Sequence, residues 1–253
     1  MPVPLTTRDG HAARLVHDDR VPELRPVTVL RWVPGRFRPH ALGPSSAAQI
    51  GRVLAVLHAH ARQHRIDPQR VRPVLDADGL VGPQAVMGPV EALPGLPSSS
   101  LALIDAARER IHADLDPLFE DEEDVGLIHA DLHGGNVVFH EQGASPIDFD
   151  DCAHSVRHLD LAVTLSFLRG SNDSFPATRD ALLDAYGETY LLTDQDLRTL
   201  ETLCVAQRIA GLGWLVSRSD VPRIRAHVPK AHERVVALLR RFLDGEALLF
   251  ADR

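Results

Sequence analysis

Asp131, Asn136 and Asp148 are the first residues in this sequence from which chemistry can be read. They lie in Leu127-Ile128-His129-Ala130-Asp131-Leu132-His133-Gly134-Gly135-Asn136-Val137-Val138-Phe139 and, after a short turn, in Pro146-Ile147-Asp148-Phe149-Asp150-Asp151. Phosphoryl transfer needs such a set: one carboxylate to orient an attacking hydroxyl and receive its proton, and further hard oxygens to hold Mg²⁺ against nucleotide phosphates. Magnesium keeps several waters, so one Asp and one Asn amide oxygen suffice as protein ligands. A zinc-dependent hydrolase on His129, Asp131 and His133 is the minor alternative; it needs a helix to bring two histidines four apart onto one face, and none is predicted there.

For the three oxygen donors to converge, short strands must carry them. Leu127-Ile128 predicts a strand that delivers His129 and Asp131 into a loop, Gly134-Gly135 lets the backbone turn, and Val137–Phe139 returns with Asn136 at its entry. Pro146–Phe149 predicts a third strand that ends at Asp148. Upstream, His11–Val16 and Val27–Trp32 predict a hairpin-like pair separated by the Asp18-Asp19-Arg20 turn, and Pro34-Gly35 breaks the pattern. Ser46 and Gln49 have capping-box spacing, and Ile50, Val53, Leu54, Leu57 and Ala61 follow at helical intervals to about His64. Residues 66–100 predict an irregular connection. A helix then starts near Leu101, with Ile104, Ala107, Ile111, Leu115 and Leu118 on its apolar stripe. Further helices are predicted over 159–169, 178–191, 194–217 and 229–249, giving a β-rich beginning and a helical body with a strand-loop-strand insert.

Of the 253 residues, 44% are hydrophobic and 25% charged, an ordinary folded composition. A net charge of −8 argues against a nucleic-acid partner, which needs a basic face. No apolar run approaches the ~18–20 residues that span a bilayer, and the N-terminus lacks a basic-then-apolar export signal, so no membrane partner and a cytoplasmic location are expected. Cys152 and Cys204 are far apart and predict two buried thiols rather than a disulfide framework or thiolate zinc site. Lys230 is the only lysine, which removes almost every candidate for a catalytic lysine.

The pattern H-x-D-x-x-x-x-N of His129, Asp131 and Asn136, followed by Ile147-Asp148-Phe149, resembles the catalytic loop and metal segment of the aminoglycoside phosphotransferase and choline-kinase-like family, relatives of the protein kinases. Val27–Arg36 looks like the family's last N-lobe strand and hinge, and Asp160-Leu161-Ala162 like its Asp-Leu-Ala behind the catalytic loop. The resemblance implies an α+β, protein-kinase-like fold, with residues 1–35 a truncated β-rich N-lobe and hinge and 36–253 a mainly helical C-lobe. It implies ATP and Mg²⁺ as cofactors and a small-molecule hydroxyl, of the aminoglycoside, amino alcohol or sugar class, as acceptor. By carry-over Asp131 is the base, Asn136 and Asp148 bind Mg²⁺, the backbone of Arg31, Trp32 and Val33 faces adenine, and His129, Asp150 and Asp160 support the site. The family's Gly-rich phosphate loop, strand lysine and helical glutamate have no counterpart before Val27, which implies a start partway through the N-lobe and, as the alternative, a catalytically impaired or non-catalytic nucleotide- or metabolite-binding protein.

The remaining candidates carry plainer expectations. His58, His60 and His64 predict a partly exposed helix face, and the acidic residues from Asp114 to Asp124 a solvated one. His154 and His158 are minor candidates for the substrate side. Trp32 and Trp214 predict hinge and core packing, and Asp160 also suits a helix N-cap.

Overall fold

The structure is a computed structural model that describes residues 2–38, 42–64, 72–120, 124–171 and 174–252. It opens on an antiparallel pair, β1 (Arg14–Asp18) and β2 (Val21–Val27), with Arg14 opposite Val27 and Asp18 opposite Val21. The turn falls where the sequence predicts it, because the Asp18 carboxylate accepts the Arg20 backbone N–H at 2.9 Å and faces its guanidinium. The second strand, however, is Val21–Val27 and not Val27–Trp32. Pairing resumes immediately after Asp19-Arg20, and residues 29–31 pair instead with the segment before the hairpin: Leu5 N–H reaches Val29 O and Arg31 N–H reaches Val3 O, each at 2.8 Å. Pro22 and Pro26 are tolerated in β2 because a strand in a two-stranded sheet has one edge that needs no ladder donors.

Helix α1 (Pro44–Gln63) starts two residues before Ser46, with Gly43 at the N-cap and no side-chain cap. The expected capping box is therefore absent; Pro44 presets the first turn, and Ser46 lies inside the helix, where its hydroxyl accepts Arg38 Nη1 at 3.2 Å. Ile50, Leu54 and Ala55 are buried. Gly51 sits where α5 (Phe175–Gly187) crosses, and a Cβ there would come within 2.3 Å of Leu182 O, so close helix approach requires the glycine. The connection to α3 (Ser98–Leu115) holds α2 (Ala77–Val81) and one 3₁₀ turn at Val90–Ala92, in keeping with an irregular segment; residues 65–71 of it lie outside the described residues. Ile104, Ala107, Ile111 and Leu115 of α3 are all buried.

The insert contains two small sheets. β3 (Val125–Ile128) pairs antiparallel with β6 (Ala153–Val156), and β4 (Val137–His140) with β5 (Gly143–Pro146). The third predicted strand is displaced: β5 ends at Pro146, because Asp148 adopts a left-handed backbone (φ 62°) that a strand cannot continue through. β6 was not foreseen; it is buried at every residue, so Ala-His-Ser-Val shows none of the alternation that marks a half-exposed strand.

Four long helices complete the body: α4 (His158–Ser171), α5, α6 (Asp194–Ser217) and α8 (Val228–Leu243), with the single turn α7 (Pro222–Arg225) between the last two. Thr193 and Asp196 close a capping box on α6. Helix α8 stops six residues before the predicted end. Gly245 turns with φ 78°, and the Glu201 carboxylate then collects the N–H groups of Leu248, Leu249 and Phe250. Among the described residues no helix is long and apolar enough to cross a membrane.

Candidate active site

Strand β3 runs directly into the loop 129–136, and the loop's shape is set by hydrogen bonds from its own backbone. His129 is buried, and its Nε2 donates to Ile147 O at 2.9 Å; a carbonyl only accepts, so Nε2 carries the proton. Its Nδ1 faces Asp131 N–H at 3.4 Å. Ala130 is left-handed (φ 65°), a conformation costing a non-glycine residue about 1–2 kcal/mol. The strain is offset by Asp160 on the first turn of α4: Oδ1 accepts Ala130 N–H at 2.7 Å and Oδ2 accepts His129 N–H at 2.9 Å. Asp160 is thus turned to the loop instead of capping its own helix. Behind it, His58 Nε2 meets Oδ2 at 3.0 Å and His58 Nδ1 meets the Tyr186 hydroxyl at 3.0 Å.

This tight chain brings Asp131 and Asn136 together. The Asn136 amide nitrogen donates to Asp131 O at 3.0 Å and to Asp131 Oδ2 at 2.9 Å. Asn136 in turn holds the next segment, its carbonyl accepting Ile147 N–H at 2.9 Å. Asp148 follows one residue later, exposed, and its left-handed backbone turns the chain toward Asp150 and Asp151. Burial and the negative charges of Asp131, Asp148 and Asp150 raise the Asp151 carboxyl above its ordinary value, against an opposing pull from Arg218. Four carboxylates therefore share one field, and the Asn136 amide oxygen is the hard donor left over once its nitrogen is engaged by Asp131. An Asn amide oxygen and an Asp carboxylate are hard donors of the kind Mg²⁺ takes, with waters completing its shell.

Of the residues expected at the nucleotide base, two share a cleft with β4. Trp32 and Val33 line a cleft of about 850 Å³ with Arg36, Gln49 and Phe139, closed at one edge by the Arg36–Phe139 backbone pair. Asp148 and Asp150 line an adjoining cleft of about 1060 Å³ with Leu30, Val53, Ala144 and Phe149; Gln49 and Gln142 border both. Arg31 lines neither cleft and gives its N–H to Val3. Trp32, expected as hinge packing, is instead 82% exposed at the wall of the cleft.

Several expectations change. Both ring nitrogens of His129 are occupied by the backbone, so it cannot join His133 and Asp131 in a zinc triad, and among the described residues no three His, Cys, Asp or Glu side chains are placed to hold a metal. His154 and His158 are buried, His158 lying 2.8 Å from Asp196, so neither faces a substrate side. His60 and His64 are exposed and His58 is buried behind Asp160, a partly exposed face as expected, but with its buried member turned to the site. Of the acidic residues, Asp114, Asp116 and Glu120 are exposed, Asp124 pairs with Arg157, and residues 121–123 lie outside the described residues. Sequence reasoning missed His58 and Tyr186; a histidine at a stripe position facing α5 was the available signal.

The Phosphotransferase enzyme family (APH) matches residues 3–203, a span holding the hairpin, the loop 129–136 and Asp160. The chain belongs to that family. An uncharacterized protein of Deinococcus radiodurans is 31% identical over 203 residues, covering 77% of this chain and 56% of its own length, so the chain spans little more than half of that relative. Among solved structures, a microcompartment-associated aminopropanol kinase superposes with a TM-score of 0.82 at 24% identity, over 96% of this chain and 76% of its own. Amicoumacin kinase hAmiN, in complex with AMP-PNP, Ca²⁺ and Ami, superposes at 0.72 and 18% identity, over 93% and 72%. The fold is accordingly the α+β, protein-kinase-like one, and the family is one of phosphotransferase enzymes.

Proposed function

We propose that this chain transfers the γ-phosphoryl group of ATP to a hydroxyl of a small molecule, with residues 1–35 serving as a partial N-lobe and hinge and 36–253 as the C-lobe. The observation that carries the reading is the joint placement of Asp131 and Asn136 on a loop pinned by Asp160. Asp131 receives the acceptor's proton; Asn136 and Asp148 hold Mg²⁺, with Asp150 beside them. Bound Mg²⁺ supplies charge neutralisation at the β- and γ-phosphates. Trp32 and Val33 offer the base its wall, without the Arg31 backbone, whose N–H is spent on Val3; the rigid loop supplies the orientation that makes an in-line transfer effectively unimolecular.

The acceptor class follows from charge: four neighbouring carboxylates favour a cationic molecule bearing a hydroxyl, and the aminopropanol kinase resemblance points to an amino alcohol. The test is Mg-ATP turnover of the purified chain over amino alcohols, aminoglycosides and sugars, with Asp131→Asn as control. Acceptor-dependent ADP release that the control lacks supports the reading; nucleotide binding without turnover on any acceptor overturns it. A second reading, a nucleotide-binding protein with impaired catalysis, draws on Lys230: the only lysine of the chain is exposed on α8 and lines neither cleft.

A further inference from the structure

His133 has no role in the scheme above, yet its ring is held as closely as that of His129. The Gly135 N–H donates to His133 Nδ1 at 2.9 Å, which makes Nδ1 an acceptor and leaves the proton on Nε2. That Nε2 stands 3.6 Å from Asp131 Oδ2, the same oxygen that accepts the Asn136 amide. The ring also lies against Phe167 of α4, with centroids 4.4 Å apart. Gly135 makes room for it: a Cβ there would fall 2.7 Å from His133 Cε1. Three independent constraints, a backbone donor, a ring neighbour and a missing side chain, thus aim one N–H at one carboxylate oxygen.

We propose that His133 is a positioning residue for Asp131: its Nε2–H joins Asn136 in holding Oδ2, so that Oδ1 is the oxygen presented to the acceptor hydroxyl. The inference rests on Asp131 as the base. At 3.6 Å the contact is longer than a hydrogen bond, and it closes when the acceptor seats, as contacts in unliganded sites commonly do. A carboxylate with one oxygen anchored twice cannot rotate, and the proton-accepting lone pair stays in line with the attacking oxygen.

Two side chains separate this role from a structural one. Glutamine places an N–H where His133 Nε2 stands, whereas asparagine reproduces only the Nδ1 acceptor for Gly135. In Mg-ATP turnover with the best acceptor of the panel, His133→Gln is expected within about threefold of the parent kcat, and His133→Asn about tenfold lower, with both KM values within about twofold. Parent-like turnover of His133→Asn, or an equal loss in both variants, overturns the proposal. A second measurement needs no acceptor: long-range ¹H–¹⁵N correlation of the ¹⁵N-labelled full chain, the His133 signals being those lost in His133→Gln. The expected result is the Nε2–H tautomer, with its Nε2 resonance displaced by Asp131→Asn. An Nδ1–H tautomer, or no response to Asp131→Asn, refutes the positioning whether or not the chain turns over; absent turnover with the expected spectrum refutes only the phosphotransferase reading.

Discussion

His58 Nε2 lies 3.0 Å from Asp160 Oδ2, with both side chains fully shielded from solvent. The same carboxylate carries the amides of His129 and Ala130, so three donors converge on two oxygens. Asp160→Asn replaces one acceptor with a donor and leaves a buried N–H facing another. The expected cost is about 2–3 kcal/mol of stability, with ADP release falling alongside because Ala130 loses the bond that offsets its strain. Urea unfolding measures it; a midpoint shift below a tenth of that size means the network is not what shapes the loop.

Tyr186 is the outer end of the same chain. Its hydroxyl pairs with His58 Nδ1, donating to it in the neutral Nε2–H tautomer, and burial pushes its phenol well above the ordinary range. Tyr186→Phe removes one oxygen and keeps the ring. A loss of about 1 kcal/mol with turnover nearly unchanged is expected, because Asp160 retains all three donors. Thermal unfolding and the turnover assay, run side by side, check both halves.

The donor set was legible because its spacing is local: Asp131 and Asn136 are five residues apart on one loop, and a loop that short brings them together wherever its ends are held. What holds the ends was less legible. Asp160 could be singled out by its motif, but His58 and Tyr186 reach it from two helices more than a hundred residues apart in sequence, whose packing no local pattern announces. The strand errors share one cause. Val27–Trp32 and Pro146–Phe149 have strand-like composition, yet pairing partners and the left-handed Asp148 decided where β2 and β5 stop, and neither is written in the segment itself.

Asp151 gives a pH signature. Its carboxyl, raised by burial and by three neighbouring carboxylates, holds its proton more tightly in the folded chain than in the unfolded one. Stability is therefore lost as pH rises from the unfolded value of 3.8 through the raised one, and it stays lost above. Asp151→Asn removes that loss. The variant is expected to melt slightly above the parent at neutral pH, by no more than about 0.5 kcal/mol because the carboxyl is only partly shielded from solvent and the surrounding charges are screened, with the gap closing toward about pH 4. A gap that widens as pH falls contradicts the assignment.

Asp148 and Asp150 differ in backbone as well as in position. Asp148 is left-handed, a conformation asparagine tolerates, so Asp148→Asn removes charge without disturbing the turn. If Asp148 is the direct Mg²⁺ ligand, Asp148→Asn weakens Mg-nucleotide binding about tenfold or more, whereas Asp150→Asn costs no more than about threefold. Calorimetric titration of Mg-ATP into both variants decides between them, and equal losses put Asp150 in contact with the metal too.

Asp131→Asn separates positioning from proton transfer at the centre of the site. An asparagine keeps the volume and one acceptor oxygen, so the Asn136 amide retains its partner and the loop its shape. What disappears is the capacity to take a proton. Turnover should fall by at least about 10²-fold, the usual contribution of a general base, while the melting temperature and the affinity for Mg-ATP stay near the parent's. A loss in turnover matched by an equal loss of nucleotide affinity would assign Asp131 to binding instead, because a residue that acts only on the acceptor's proton has nothing to offer before the acceptor arrives.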